Sequence, residues 1–167
     1  MYSPIYWIPE SRTGRLAVTP RPRGGEWLDD EVSAWRSAGV ATVVSLLTQP
    51  ETAELLLEEE AARCRANGIA WISFPIPDRQ VPASLDDTRE VVAQIADVLR
   101  QGLGVVIHCR MGIGRSALVA ASVLVSQGIG VEEAFAAISK ARGMSVPDTE
   151  EQRTWVARLG ATANPGR

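Results

Sequence analysis

Residues 104–116 read Gly104-Val105-Val106-Ile107-His108-Cys109-Arg110-Met111-Gly112-Ile113-Gly114-Arg115-Ser116, and this stretch decides the fold class. A short apolar run delivers a cysteine to a glycine-bearing turn, and a helix-forming segment begins at Arg115. Open α/β sheets place their ligands at the carboxyl ends of such strands. Gly112 and Gly114 permit a tight turn in which backbone N–H groups point inward as an anion nest. The helix that follows adds its positive N-terminal end. Arg115, six residues after Cys109, offers a planar fork for two oxygens of a tetrahedral oxyanion. The expected site is therefore an oxyanion pocket with the thiol of Cys109 at its floor. Its wall is the 110–115 loop: Arg110, Met111, Gly112, Ile113, Gly114 and Arg115. His108 is the one histidine in the chain, so no conventional Cys–His pair with an independent base is available. The loop's own field must activate the nucleophile, and His108 is expected to orient the loop by hydrogen bonding.

Outward from this loop the chain alternates between strands and helices. Ile5–Ile8 and Leu16–Val18 read as short edge strands, Val40–Leu47 as a buried strand, Ile69–Ile76 as an alternating strand that ends in prolines, and 104–108 as the central one. Helical patterns cover 28–38, 51–67 (stopped by Gly68), 84–101, 115–127, 131–142 and 149–159. Ser84 and Asp87 are spaced as a capping box. Strand–helix alternation predicts an α/β fold: a single domain with a mostly parallel central sheet of about five strands and helices on both faces. The domain is expected to span residues 1–160, with 161–167 as a flexible tail.

Composition narrows the class. A chain of 167 residues is long enough for one continuous core. Net charge −3 gives no general attraction to nucleic acid or to an anionic membrane surface. No apolar run approaches a membrane span, and no secretory signal is evident at the N-terminus. Two cysteines provide no disulfide framework and suit a reducing, cytoplasmic setting. Lys140 is the sole lysine among many arginines and alanines, a bias expected of a GC-rich, bacterial coding background. No cofactor and no metal are expected, and the chain is expected to be a monomer.

The pattern His108-Cys109, five residues, Arg115-Ser116 resembles the signature of the cysteine-based protein-tyrosine phosphatase superfamily. A chance match at these positions should arise on the order of once in a million chains of this length. The chain is far shorter than the larger phosphotyrosine-specific catalytic domains, so the resemblance narrows to the compact dual-specificity-like branch. Within it, the 19–25 segment and the late Val146-Pro147-x-Thr149-x-x-Gln152 element resemble the kinase-associated subgroup. The resemblance covers most of 15–158, although only the signature loop is highly specific.

It implies a cysteinyl-phosphate mechanism and further site residues. A thiolate attacking phosphorus needs a proton for the departing oxygen. Asp78 lies in the proline-stiffened stretch Pro75-Ile76-Pro77-Asp78-Arg79-Gln80-Val81-Pro82, 31 residues before Cys109. The resemblance implies that it is the general acid in the first step and the base in the second. Asp86 and Asp87 compete, but they fall in the first turn of a helix, where carboxylates suit the dipole. Gln152 is implied as the residue that orients the hydrolytic water, and it also completes a capping box with Thr149. Ser116 is implied as a hydrogen-bond donor to the leaving sulfur, with helix capping as its other reading.

Expected partners are phosphorylated proteins or peptides, with no nucleic acid and no membrane. Phosphotyrosine is the expected substrate, with phosphoserine and phosphothreonine as extensions. A phosphoinositide or small-molecule phosphatase and a phosphate-binding pseudophosphatase are the alternatives. The loop carries none of the lysines with which lipid phosphatases of the superfamily grip extra phosphates, although Arg110 could stand in for them. Arg21 and Arg23 read either as contacts for an acidic or phosphorylated peptide or as a solvated connector. Cys64 reads as a packing cysteine, with a redox partnership to Cys109 as the alternative.

Overall fold

A computed structural model describes residues 1–162. Its strands are β1 (Tyr6–Ile8), β2 (Arg15–Thr19), β3 (Val40–Ser45), β4 (Ala70–Ser73) and β5 (Gly104–His108). They form one sheet in the order β1-β2-β5-β3-β4, parallel throughout except for β1, which runs antiparallel to β2. The helices are α1 (Leu28–Ser37), α2 (Gln49–Glu54), α3 (Glu60–Ala66), α4 (Leu85–Arg100), α5 (Arg115–Ser126), α6 (Val131–Arg142) and α7 (Glu150–Thr162). The expected α/β class, sheet size and two-sided helical cover are all present.

Alternation along the strands divides the interior into two layers. Val105 and Ile107 of β5, with Leu16, Val18 and Val44, pack against α4, α5, α6 and α7. Val106 faces the other way, with Ala17 and Val43, against Leu28, Val32 and Trp35 of α1 and Cys64 of α3. Every residue of β5 is buried, as a central parallel strand covered on both faces must be. Burial of a side chain such as Ile107 contributes ~2 kcal/mol, so the strand that feeds the site is also the best anchored.

Two expectations are corrected. Leu16–Val18 is not an edge: β2 pairs with β1 on one side and β5 on the other, and its apolar residues enter both layers. Its shortness had suggested an edge, but burial on both faces makes it an interior strand. The single helix expected over 51–67 is two, α2 and α3, separated by a turn in which Leu56 takes φ 57°. That turn exposes Leu56 and buries Leu57, so the apolar stretch 55–57 serves the core without continuing the helix. At the other end, α7 runs to Thr162, so Ala161 and Thr162 of the expected 161–167 tail are helical. Residues 163–167 lie outside the described residues.

Candidate active site

The chain leaves β5 at His108, and Cys109 follows at the strand's carboxyl end, 3% exposed. The Gly112 N–H donates to Cys109 Sγ at 3.3 Å, and Ser116 Oγ lies 3.4 Å from the same sulfur. Gly112 has φ 72°, and a Cβ there would lie 2.8 Å from the Pro20 nitrogen. The position thus needs both glycine's left-handed freedom and its missing side chain. Carbonyls of the loop are held from outside. Arg142, at the end of α6, donates from Nε to Gly112 O (3.2 Å) and from Nη2 to Met111 O (3.1 Å), with its guanidinium over the Tyr6 ring. The Arg21 N–H donates to Arg110 O at 3.1 Å. With these carbonyls engaged from outside, the N–H of Gly112 is turned to the sulfur. The sequence carried no signal that singled out Arg142 among its arginines.

Arg115 opens α5 and is 2% exposed. Its Nη1 and Nη2 meet Glu51 Oε2 and Oε1 at 2.8 and 2.9 Å, a two-pronged ion pair, and Nη1 also donates to Ile76 O at 2.8 Å. Nη2 lies 3.1 Å from Asp78 Oδ1. Burial works against the charge on Arg115, but the hydrogen bonds of Glu51 and the charges of Cys109, Glu51 and Asp78 outweigh it and raise its pKa. Burial likewise works against the Glu51 carboxylate. The hydrogen bonds from Arg115 and Thr48 and the charge of Arg115 prevail and hold its pKa down at about 2. Glu51 went unnoticed in the sequence, where it read as one acidic residue on a long amphipathic helix.

His108 is fully buried on the opposite layer, stacked on Trp35. Its Nδ1 lies 3.2 Å from Cys109 O and its Nε2 2.7 Å from Glu60 Oε1. A carbonyl only accepts, so Nδ1 carries a proton and donates to the loop. His108 thus bonds to the loop backbone on one side, and Glu60 of α3 holds the ring from the other. Glu51 and Glu60 are nine residues apart, which on an unbroken helix at ~100° per residue would set them on opposite faces. The turn between α2 and α3 allows one carboxylate to reach Arg115 and the other His108.

The remaining candidates divide into those brought to the loop and those committed elsewhere. Asp78 is more than half exposed at the mouth, tied to Arg115, and the next residue, Arg79, turns with φ 61°. Gln152 is buried and forms the expected box: Thr149 N donates to Gln152 Oε1 (3.3 Å) and Gln152 N to Thr149 Oγ1 (3.1 Å). Its Nε2 donates to Gln80 O at 3.2 Å, linking α7 to the loop that carries Asp78. A Cβ at Gly114 would sit 3.1 Å from this Nε2, so Gln152 also borders the cradle. Met111 is exposed at the loop's outer surface, and Ile113 packs partly into the main core.

Arg110 turns to α2, donating to Glu54 Oε2 at 3.0 Å, with Glu51 Oε1 at 3.5 Å. Arg23 is paired with buried Glu31 at 2.5 Å and stacks on Trp27, while the Arg21 side chain donates to Pro22 O. Arg23 is thus a structural latch rather than a solvated connector. Cys64 is buried in the opposite layer from Cys109. Burial, aided by the charge of Glu60, pushes its thiol up to about 12.

Several of the proteins to which this chain is similar are named as phosphatases. Two relatives are rat cyclin-dependent kinase inhibitor 3, 28% identical over 123 residues covering 72% of this chain, and the putative tyrosine phosphatase 197R of invertebrate iridescent virus 6, 27% identical over 166 residues covering 95%. The chain spans 58% of the length of each. Among solved structures, a kinase-associated phosphatase with its catalytic-site cysteine replaced by serine superposes with TM-score 0.86 at 20% identity, covering 100% of this chain and 99% of that one. Tk-PTP in its active form follows the same fold, with TM-score 0.76, 24% identity and coverage of 93% and 97%. The sequence family described as "Polymorphic toxin system, DSP-PTPase phosphatase" matches residues 19–129, a span that contains Glu51, Asp78 and the whole Cys109–Arg115 loop. With about two thirds of its length in that match, the chain belongs to this family of compact, dual-specificity-like phosphatases.

Proposed function

We propose that the chain hydrolyses phosphate monoesters of proteins, phosphotyrosine foremost, through a cysteinyl-phosphate intermediate. One observation carries the reading. The Sγ of Cys109 is held by the Gly112 N–H beside Ser116 Oγ, in the same loop whose Arg115 is locked in place by Glu51. In the first step Cys109 attacks phosphorus in line, Arg115 and the loop N–H groups hold the non-bridging oxygens, and Asp78 gives a proton to the departing oxygen. In the second step water releases phosphate, Gln152 helps to place the water, and Ser116 stabilises the returning sulfur. The depth of the nucleophile favours the aryl spacer of phosphotyrosine over shorter side chains. A phosphoinositide reading is less favoured, because Arg110 is already neutralised by Glu54 and Glu51. A reducing compartment such as the cytoplasm suits an enzyme that depends on a free thiol.

The test is phosphate release from matched phosphotyrosine and phosphothreonine peptides, without metal and with reductant. The expected outcome is turnover that prefers phosphotyrosine and vanishes in Cys109→Ser with the fold intact. Hydrolysis by purified Cys109→Ser under the same conditions would overturn the assignment.

A further inference from the structure

We propose that Asp148 is a second proton-transfer carboxylate of this site. It acts as base on the water that hydrolyses the cysteinyl-phosphate, while Asp78 serves the leaving group. The inference rests on the phosphatase reading above and divides its two proton transfers between two carboxylates.

The observation is steric. A Cβ at Gly114 would lie 2.4 Å from Asp148 Oδ2 and 3.1 Å from Gln152 Nε2. A carboxylate acceptor and an amide donor therefore converge on one glycine of the loop that holds Cys109, in space that any side chain at 114 would fill. The segment that brings Asp148 there is fixed at both ends. The Val146 N–H donates to Ser139 Oγ at 3.1 Å, and the Thr149–Gln152 box begins at the next residue. Asp148 itself has no hydrogen bond or ion pair among the described residues, whereas one oxygen of Asp78 is engaged by Arg115.

A negative charge at the rim of an anion cradle opposes substrate binding, so its placement calls for a task in a later step. Water accepting the second N–H of Gln152 Nε2 could donate to Asp148 and keep a lone pair for phosphorus. The step balances. The water oxygen bonds to phosphorus as the P–Sγ bond breaks, and the electron pair returns to sulfur, which the Gly112 N–H and Ser116 hydroxyl receive. The water proton passes to Asp148 and from there to solvent, to which Asp148 is exposed.

Rapid-quench kinetics with p-nitrophenyl phosphate on wild type, Asp148→Asn and Asp148→Glu test this. The ratio kcat/KM reports steps up to phosphoenzyme formation, whereas kcat includes its hydrolysis. For Asp148→Asn the expected result is kcat/KM within about twofold of wild type, with kcat lowered by about a hundredfold. A burst of nitrophenol approaching one equivalent per site should accompany it, and Asp148→Glu should restore part of kcat. Unchanged kinetics, or kcat and kcat/KM falling together without a burst, would overturn the proposal and leave the phosphatase reading standing. A wild type that does not turn over would defeat both.

Discussion

At the residue scale the site depends on one buried ion pair that orients its cation. Arg115 can grip an oxyanion only if its guanidinium faces the loop, and the fork from Glu51 with the Ile76 carbonyl fixes that orientation. Removing one partner of a buried pair costs up to ~3–5 kcal/mol, and without Glu51 the Arg115 charge keeps only the more exposed carboxylate of Asp78. Glu51→Gln keeps the capping geometry at Thr48 but loses the charge, so the midpoint of urea unfolding should fall and phosphatase turnover should drop with it. The pH dependence has a definite sign. The Glu51 carboxyl titrates near 4.5 when unperturbed and at about 2 in the folded chain. Its stabilisation is therefore complete above pH 4.5 and is lost as pH falls towards 2, a gap worth ~3 kcal/mol. Urea unfolding of wild type between those pH values should show this loss, and Glu51→Gln should lack that share of it. Equal acid sensitivity in the two proteins would remove Glu51 from the account.

At the element scale, the break between α2 and α3 determines which residues reach the site, and it marks the boundary of what could be read from the chain. The Cys109–Arg115 loop was legible because its parts are consecutive: apolar strand, cysteine, glycines, arginine, helix. Asp78 and Gln152 entered the candidate set through the family resemblance of the stretches that carry them. Glu51, Glu60, Arg142 and Asp148 could not be placed, because each reaches the loop through topology. For Glu51 and Glu60 the amphipathic pattern favoured one continuous helix, and a tertiary contact overrode it. That contact is the close approach of Gly24 to the turn: a Cβ at Gly24 would lie 2.0 Å from Leu55 O and 2.6 Å from Leu56 O, and the Gly25 N–H donates to Leu56 O at 3.0 Å. Gly24→Ala should therefore push the turn away, cost ~1–3 kcal/mol and disturb the Glu51–Arg115 pair. Thermal melting and turnover should fall together. A variant with normal melting and activity would show that the turn does not position Glu51.

At the scale of the whole molecule, the sheet separates two chemical environments that share one strand. Cys109 follows β5 into the layer of α4–α7, while His108, one residue earlier, turns to Trp35 and Glu60 in the layer of α1 and α3. The loop is thus bonded through the sheet to a buried residue whose ring lies in the opposite layer. Cys64 lies in that second layer, on the buried face of α3. A disulfide requires Cα atoms within ~7 Å and Cβ vectors that converge, which cysteines packed into opposite faces of an intact sheet do not provide. The Cys64 thiol, raised to about 12 by burial and Glu60, is also a poor source of the thiolate that exchange requires. Mild peroxide should therefore oxidise Cys109 alone, and peptide mapping under non-reducing conditions should find Cys64 as a free thiol. Cys64→Ser should be inactivated by peroxide at the wild-type rate and be rescued by reductant to the same extent. A linked Cys64–Cys109 peptide that disappears in Cys64→Ser would mean that α3 and the strand edge beneath it open far enough for the two layers to meet, and that the sheet does not insulate the nucleophile.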